Sequence, residues 1–285
     1  MRYWKDAASL SVIFLTAFNL SVGASSAETT NHFMSLDKSH PYNLSGTLYL
    51  PPNASKPCPA IVMVHGTMGI DSRGALYRDP IVKAGMAVFE VDFKTGIYTT
   101  PLNRPKPETL LAMGFAALKE LRKLPAIDPD RIGILGFSMG GHLAVYSAFE
   151  HNRQLWMGSE KGFAAHVGFY PVCKTFVKQK DLQVTGAPMI IFYGTEDSYG
   201  DGKAVPELKS LLLKKDQFEV TTVEYAGAMH GFNRDAPPIS YVDPAATHMR
   251  GRMAYDANAT NDSLVKVIAF LRQNIQTLPI PEHQF

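Results

Sequence analysis

Cysteine is nearly absent from this chain: two residues in 285, Cys58 and Cys173, so no disulfide framework can replace a hydrophobic core. An excess of either charge is missing too. Its 28 basic and 26 acidic residues give a net charge of +2, and Lys and Arg are scattered rather than gathered into a stripe. Neither nucleic acid nor another polyanion is therefore an expected partner. The sequence also lacks H-E-x-x-H and paired-Cys patterns, and its nine histidines are dispersed. No metal site and no cofactor are expected. Internal repeats, low-complexity tracts and interdomain linkers are likewise missing.

What is present is ordinary globular composition, 46% hydrophobic and 19% charged, in a chain long enough for one large core. The first residues form a separate unit. A basic start, MRYWKD, precedes an apolar stretch broken by Ser, Thr and Asn, and then the small residues of ASSA. That order is a signal-peptide pattern, too short for a bilayer span and without a charged stop-transfer flank. Residues 1–27 are read as a signal peptide cleaved after Ala27, and 28–285 as a single domain. The mature chain is expected to be exported, periplasmic or secreted, with no stable membrane insertion.

The remaining sequence alternates strands and helices. SGTLYLPP reads as an early strand leaving the sheet edge, and PAIVMVHG as a strand buried on both faces. A helix from about Leu76 to Ala84 separates that strand from MAVFEVDF. Next come a helix from about Glu108 to Leu124, a strand at RIGILGF and a helix at GGHLAVYSAFE. Strands at AAHVGFY, PMIIFYG and FEVTTVEY follow, with a helix at VPELKSLLLKK before the last of them. Ser263 to Gln276 closes the pattern, with Leu264, Val267, Ile268 and Leu271 on one helical face. This alternation predicts an α/β fold, a doubly wound and mostly parallel sheet with helices on both faces. Cys58 precedes one strand and Cys173 follows another, at opposite ends of a parallel sheet, so two free thiols are expected.

Ligands in such sheets sit beyond the carboxyl ends of the strands. Gly136-Phe137-Ser138-Met139-Gly140 stands there, between a strand and a helix. This G-x-S-x-G turn is sharp enough to exclude side chains on both flanks of Ser138 and lifts its hydroxyl above the sheet. The Met139 N–H at the helix start can then stabilise an oxyanion. A serine hydroxyl needs a base, and in this arrangement the acid and then the histidine follow in chain order. Asp197, in the G-x-x-D turn after PMIIFYG, is preferred to Glu196 and Asp201. His230, between Gly227 and Gly231 after FEVTTVEY, is the base. Of the others, His65 is expected to buttress a loop, His142 to point away, His166 to lie in the core, and His248 to lie in a long loop. Gly66 lets the loop after VMVHG turn back, which makes the Thr67 N–H the second oxyanion donor, with Met68 behind it.

HGTMG, GFSMGG, GTED, HGF and FYPVC together resemble the dienelactone hydrolase family of the α/β-hydrolase fold, over roughly Gly46 to Leu271. The resemblance implies that Thr67, Ser138, Asp197 and His230 carry the chemistry. Dienelactone hydrolase itself has cysteine where this chain has Ser138, so the namesake activity is not implied. The family's substrate-carboxylate arginines have no matching motif here.

The expected function is hydrolysis of a small-molecule ester or lactone through an acyl-enzyme on Ser138. Polyester hydrolase, acyltransferase, peptidase and a non-catalytic binding domain are the alternatives. Among Phe93, Phe137, Tyr170, Cys173, Tyr199 and Phe232, which flank strand ends, Tyr170 and Cys173 are preferred as substrate-binding residues.

Overall fold

A computed structural model describes residues 27–52, 57–94, 105–179, 182–213 and 220–276. The expected signal segment lies outside these residues apart from Ala27, the first residue of β1. Eight strands form one sheet in the order β1-β2-β4-β3-β5-β6-β7-β8. They are β1 (Ala27–Met34), β2 (Asn43–Leu50), β3 (Cys58–Val64), β4 (Ala87–Asp92), β5 (Ile127–Phe137), β6 (His166–Phe169), β7 (Met189–Gly194) and β8 (Val220–Tyr225). From β4 to β8 all pairs are parallel, whereas β1–β2 and β2–β4 are antiparallel. β2 is thus an interior strand, not the edge its sequence suggested, because β1 covers it.

The continuous apolar strands have two buried faces. Ala60, Val62 and Val64 of β3 pack with Phe89 and Val91 of β4 toward α2 (Pro107–Arg122) and α3 (Met139–Tyr146). Ile61, Met63 and Val88 point the other way, toward α1 (Ser72–Lys83) and α6 (Ala257–Leu271). That alternation is the period-two geometry of a strand, and it explains why no polar face is visible in these runs. α5 (Asp201–Leu213) covers the end of the sheet with Val205 and Leu208 against Met189 and Ile191.

Helix boundaries moved where caps or buried polar groups overrode hydrophobic spacing. α1 begins at Ser72 because the Asp71 carboxylate accepts the Arg73 N–H at 3.1 Å. α6 begins at Ala257, six residues before the apolar pattern, with Asp256 accepting the Ala259 N–H at 3.0 Å. Its first turns bury Thr260 and Ser263, whose hydroxyls donate to the Phe232 and Thr260 carbonyls. The helix read through GGHLAVYSAFE stops at Tyr146, and a separate α4 runs Glu150–Met157. Beyond β8, a two-stranded hairpin not expected from sequence joins β9 (Ile239–Val242) to β10 (Arg250–Met253). Cys58 and Cys173 are both buried, and neither forms a disulfide.

Candidate active site

Ser138 joins β5 to α3 with φ 53° and ψ −111°, a strained conformation for a residue bearing a side chain. The turn holds because its neighbours leave no alternative. A Cβ on Gly136 would lie 2.0 Å from the Gly140 carbonyl oxygen, and one on Gly140 would lie 2.3 Å from that of Val64. The Ser138 N–H donates to the Phe169 carbonyl at 3.0 Å, and the Ser138 carbonyl accepts the His142 N–H at 2.7 Å. The hydroxyl is consequently carried past the sheet end, over the start of α3.

Asp197 and His230 come from loops after β7 and β8 and meet Ser138 there. His230 Nε2 lies 2.8 Å from Ser138 Oγ, and His230 Nδ1 lies 2.7 Å from Asp197 Oδ2. Both the imidazole and the carboxylate are removed from solvent. With Nδ1–H donating to Asp197, Nε2 is left to accept the serine proton. The other Asp197 oxygen accepts the Tyr199 N–H at 2.7 Å, fixing the carboxylate in its turn. The Tyr170 and Tyr199 rings pack on the imidazole with centroids 4.7 and 4.5 Å away.

The loop after β3 reaches the same place. Gly66, Thr67, Ser138 and Met139 line one cavity of about 560 Å³. His65 holds the loop: Nδ1 contacts the Gly66 carbonyl at 2.6 Å, and Nε2 accepts the Phe93 N–H at 2.9 Å. It is a buttress, as its position in the sequence implied.

Arg73 escaped sequence reasoning because nothing local marks it. Only 2% exposed, it donates to both Asp71 oxygens at 2.8 and 2.6 Å and to the Tyr170 hydroxyl at 3.0 Å. Burial opposes its charge, but Tyr170 and Asp71 raise its pKa above the ordinary value. The chain of bonds continues inward. Tyr170 donates to Asn233 Oδ1 at 2.5 Å, Asn233 Nδ2 donates to the Tyr77 hydroxyl at 2.9 Å, and Tyr77 meets Ser263 of α6 at 2.7 Å.

Tyr170 is therefore not a cavity residue. It is fully buried in this network, with burial pushing its phenol up to about 12. Cys173 is also turned into the core, packing with Phe176 and Val205, and burial raises its thiol well above the usual range. Both substrate-binding expectations are corrected on that ground. Phe93, Phe137 and Phe232 are core residues as well, and Tyr199 alone of the six reaches the cavity. His142 was expected to point away but lines the cavity, stacked on Phe176 at 4.4 Å with Nδ1 3.1 Å from the Pro171 carbonyl. His166 is in the core, where burial lowers its pKa to about 4.

Asp201, rejected as the acid, is buried at the start of α5. It accepts the N–H groups of Val172 at 2.8 Å and Cys173 at 2.6 Å, while burial and then the charge of Asp197 raise its pKa to about 7. The β9–β10 hairpin supplies Ile239, Tyr241, Val242 and Met253 to the cavity wall. It is docked through Tyr199, whose hydroxyl donates to Asp243 at 2.8 Å, and through Ser198, whose hydroxyl accepts the Arg252 N–H at 3.1 Å. No helix among the described residues is long and apolar enough to cross a membrane.

Curated relatives and solved structures are similar to parts of this chain. A 232-residue stretch is 27% identical to Esterase FrsA of Photorhabdus laumondii, covering 69% of this chain and 55% of that protein. A shorter stretch of 101 residues is 31% identical to Esterase FrsA of Vibrio vulnificus, 34% of this chain and 23% of that one. The chain thus spans about half the length of the Photorhabdus relative. Among solved structures, Thermogutta terrifontis esterase 2 phosphorylated by paraoxon superposes with a TM-score of 0.63 at 19% identity, covering 89% of this chain and 96% of that one. The dienelactone hydrolase-like promiscuous phosphotriesterase P91 from metagenomic libraries gives 0.61 at 17% identity, over 87% and 99%. These structural likenesses are of fold, the α/β-hydrolase fold. Residues 44–275 match the dienelactone hydrolase family, and to that family the chain belongs.

Proposed function

We propose that this protein is a serine hydrolase that cleaves carboxylic esters or lactones through an acyl-enzyme on Ser138. The observation that carries the reading is His230, placed 2.8 Å from the Ser138 hydroxyl and 2.7 Å from the Asp197 carboxylate. As Ser138 attacks the carbonyl carbon, its proton passes to His230 Nε2 and Asp197 stabilises the imidazolium. The N–H groups of Thr67 and Met139 receive the oxyanion. Collapse of the tetrahedral intermediate breaks the ester C–O bond, and the alcohol leaves with the proton from His230. Water then gives a proton to His230 and attacks the acyl group, releasing the acid and restoring Ser138. The names of the FrsA relatives and of the Thermogutta protein agree with ester hydrolysis.

A fluorophosphonate probe tests the nucleophile. Folded protein should label at Ser138, and Ser138→Ala should lose labelling and ester turnover together. A Ser138→Ala protein with wild-type turnover defeats the reading.

The proposal includes export of a single catalytic domain, supported by the basic, apolar and small-residue order of the first 27 residues. N-terminal sequencing of exported protein should begin at Glu28. Mature protein that retains Met1 counts against it.

A further inference from the structure

The cavity wall is largely apolar. Leu110, Met139, Val172, Ile239, Val242 and Met253 supply much of it. The charged side chains on the wall are engaged elsewhere. Arg73 is held by both oxygens of Asp71. Asp243 accepts the Tyr199 hydroxyl and the Ala245 N–H, while Lys174 Nζ donates to the Ala245 carbonyl. An anionic substrate would have to share either cation with the partner it already holds. A volume of about 560 Å³ leaves room for a group much larger than acetyl.

The apolar surface does not end at the mouth. Met68 and Val242 both line the cavity, yet they are 40% and 70% exposed. One follows β3 and the other ends β9, so carbon surface leads outward from both the oxyanion loop and the hairpin. Large exposed apolar groups at a cavity rim gain most when a ligand covers them.

We infer that the substrate is a neutral ester with an extended apolar group, which runs from Ser138 along β9 and reaches the mouth at Met68 and Val242. This rests on the serine-hydrolase reading. The hairpin then sets substrate length, while the triad sets the chemistry.

The test uses 4-nitrophenyl acetate, butyrate, hexanoate and octanoate, together with 4-nitrophenyl hydrogen glutarate and its neutral methyl ester. Burying a methylene raises kcat/KM by about fourfold, so the series should climb steeply with chain length. The methyl glutarate should exceed its anionic counterpart by about tenfold or more. Val242→Glu, at an exposed position, should reduce the octanoate-to-acetate ratio. A flat or falling series, or an anionic ester turned over as fast as its methyl ester, overturns the inference. An unchanged ratio in Val242→Glu overturns the path along β9. Fluorophosphonate labelling of Ser138 separates the two readings: labelling with a flat series removes only the apolar substrate, whereas no labelling removes both.

Discussion

Replacing Tyr170 by Phe removes one oxygen and tests whether the residue packed on His230 is structural. That oxygen accepts from Arg73 Nη1 at 3.0 Å and donates to Asn233 Oδ1 at 2.5 Å. Arg73, Tyr170 and Asn233 are 2%, 0% and 0% exposed, so solvent cannot replace either partner. The bond to the guanidinium contributes about 1.5–3 kcal/mol and the neutral bond about 1 kcal/mol. Tyr170→Phe should therefore lose about 2.5–4 kcal/mol of unfolding free energy. Urea denaturation measures it: the midpoint should fall while the slope m is unchanged, since the folded shape is kept. The ring itself remains against His230, 4.7 Å between centroids, so KM should be unaltered. Wild-type stability combined with a rise of about tenfold in KM would refute the network and return Tyr170 to the substrate.

Other predictions follow from the same geometry. Gly140→Ala places a methyl 2.3 Å from the Val64 carbonyl oxygen, so the elbow must shift; thermal melting should show a loss of about 3 kcal/mol or more, and probe labelling should fail. Asp197→Asn keeps the fold but removes the charge that orients His230, and steady-state kinetics should show kcat lower by about 10⁴-fold. Asp201 has a folded pKa near 7 against an ordinary value of 3.8, so its ionisation lowers stability progressively between those values and by a constant amount above them. Asp201→Asn cannot ionise, although it gives up one of the two backbone N–H bonds. The difference in unfolding free energy, variant minus wild type, should thus rise from pH 4 to pH 7 and then level off. A difference independent of pH contradicts the buried, ionising carboxylate.

The elements that were legible from sequence share a property: the chemistry and the backbone signal lie within a few residues of each other. Ser138 is marked by Gly136 and Gly140, which must be glycine because Val64 and Gly140 carbonyls occupy the space of a Cβ. His230 and Asp197 are found by chain order after predicted strands, since a parallel sheet delivers successive loops to one end. Residues recruited from far along the chain left no such mark. Arg73 is polar within a helix and finds its second partner 97 positions away. Tyr170 sits immediately after β6, where a cavity residue is expected, but a φ of 37° accompanies its burial beneath His230. The hairpin was missed because its strands are four residues long, β9 buries none of its residues fully, and β10 buries only Gly251 and Met253, so neither shows a long apolar face.

This contrast has an energetic counterpart within the site. Ser138 holds a backbone conformation that costs about 1–3 kcal/mol, and the structure over-determines it. The Phe169 carbonyl, the packed glycines, the Arg73–Asp71 pair and the bonds running through Tyr170 and Tyr77 to Ser263 draw on β6, α1 and α6 together. The hairpin wall is built differently. Ile239, Val242 and Met253 belong to a two-stranded unit outside the main sheet, joined to the rest of the protein at Ser198, at Tyr199 and through a backbone bridge from Met253 to His230. Local opening costs least where few apolar contacts and few buried bonds must be broken. Substitutions around the elbow should therefore register first as loss of folded protein, whereas a change at an exposed hairpin position such as Val242 should leave the geometry of Ser138 intact.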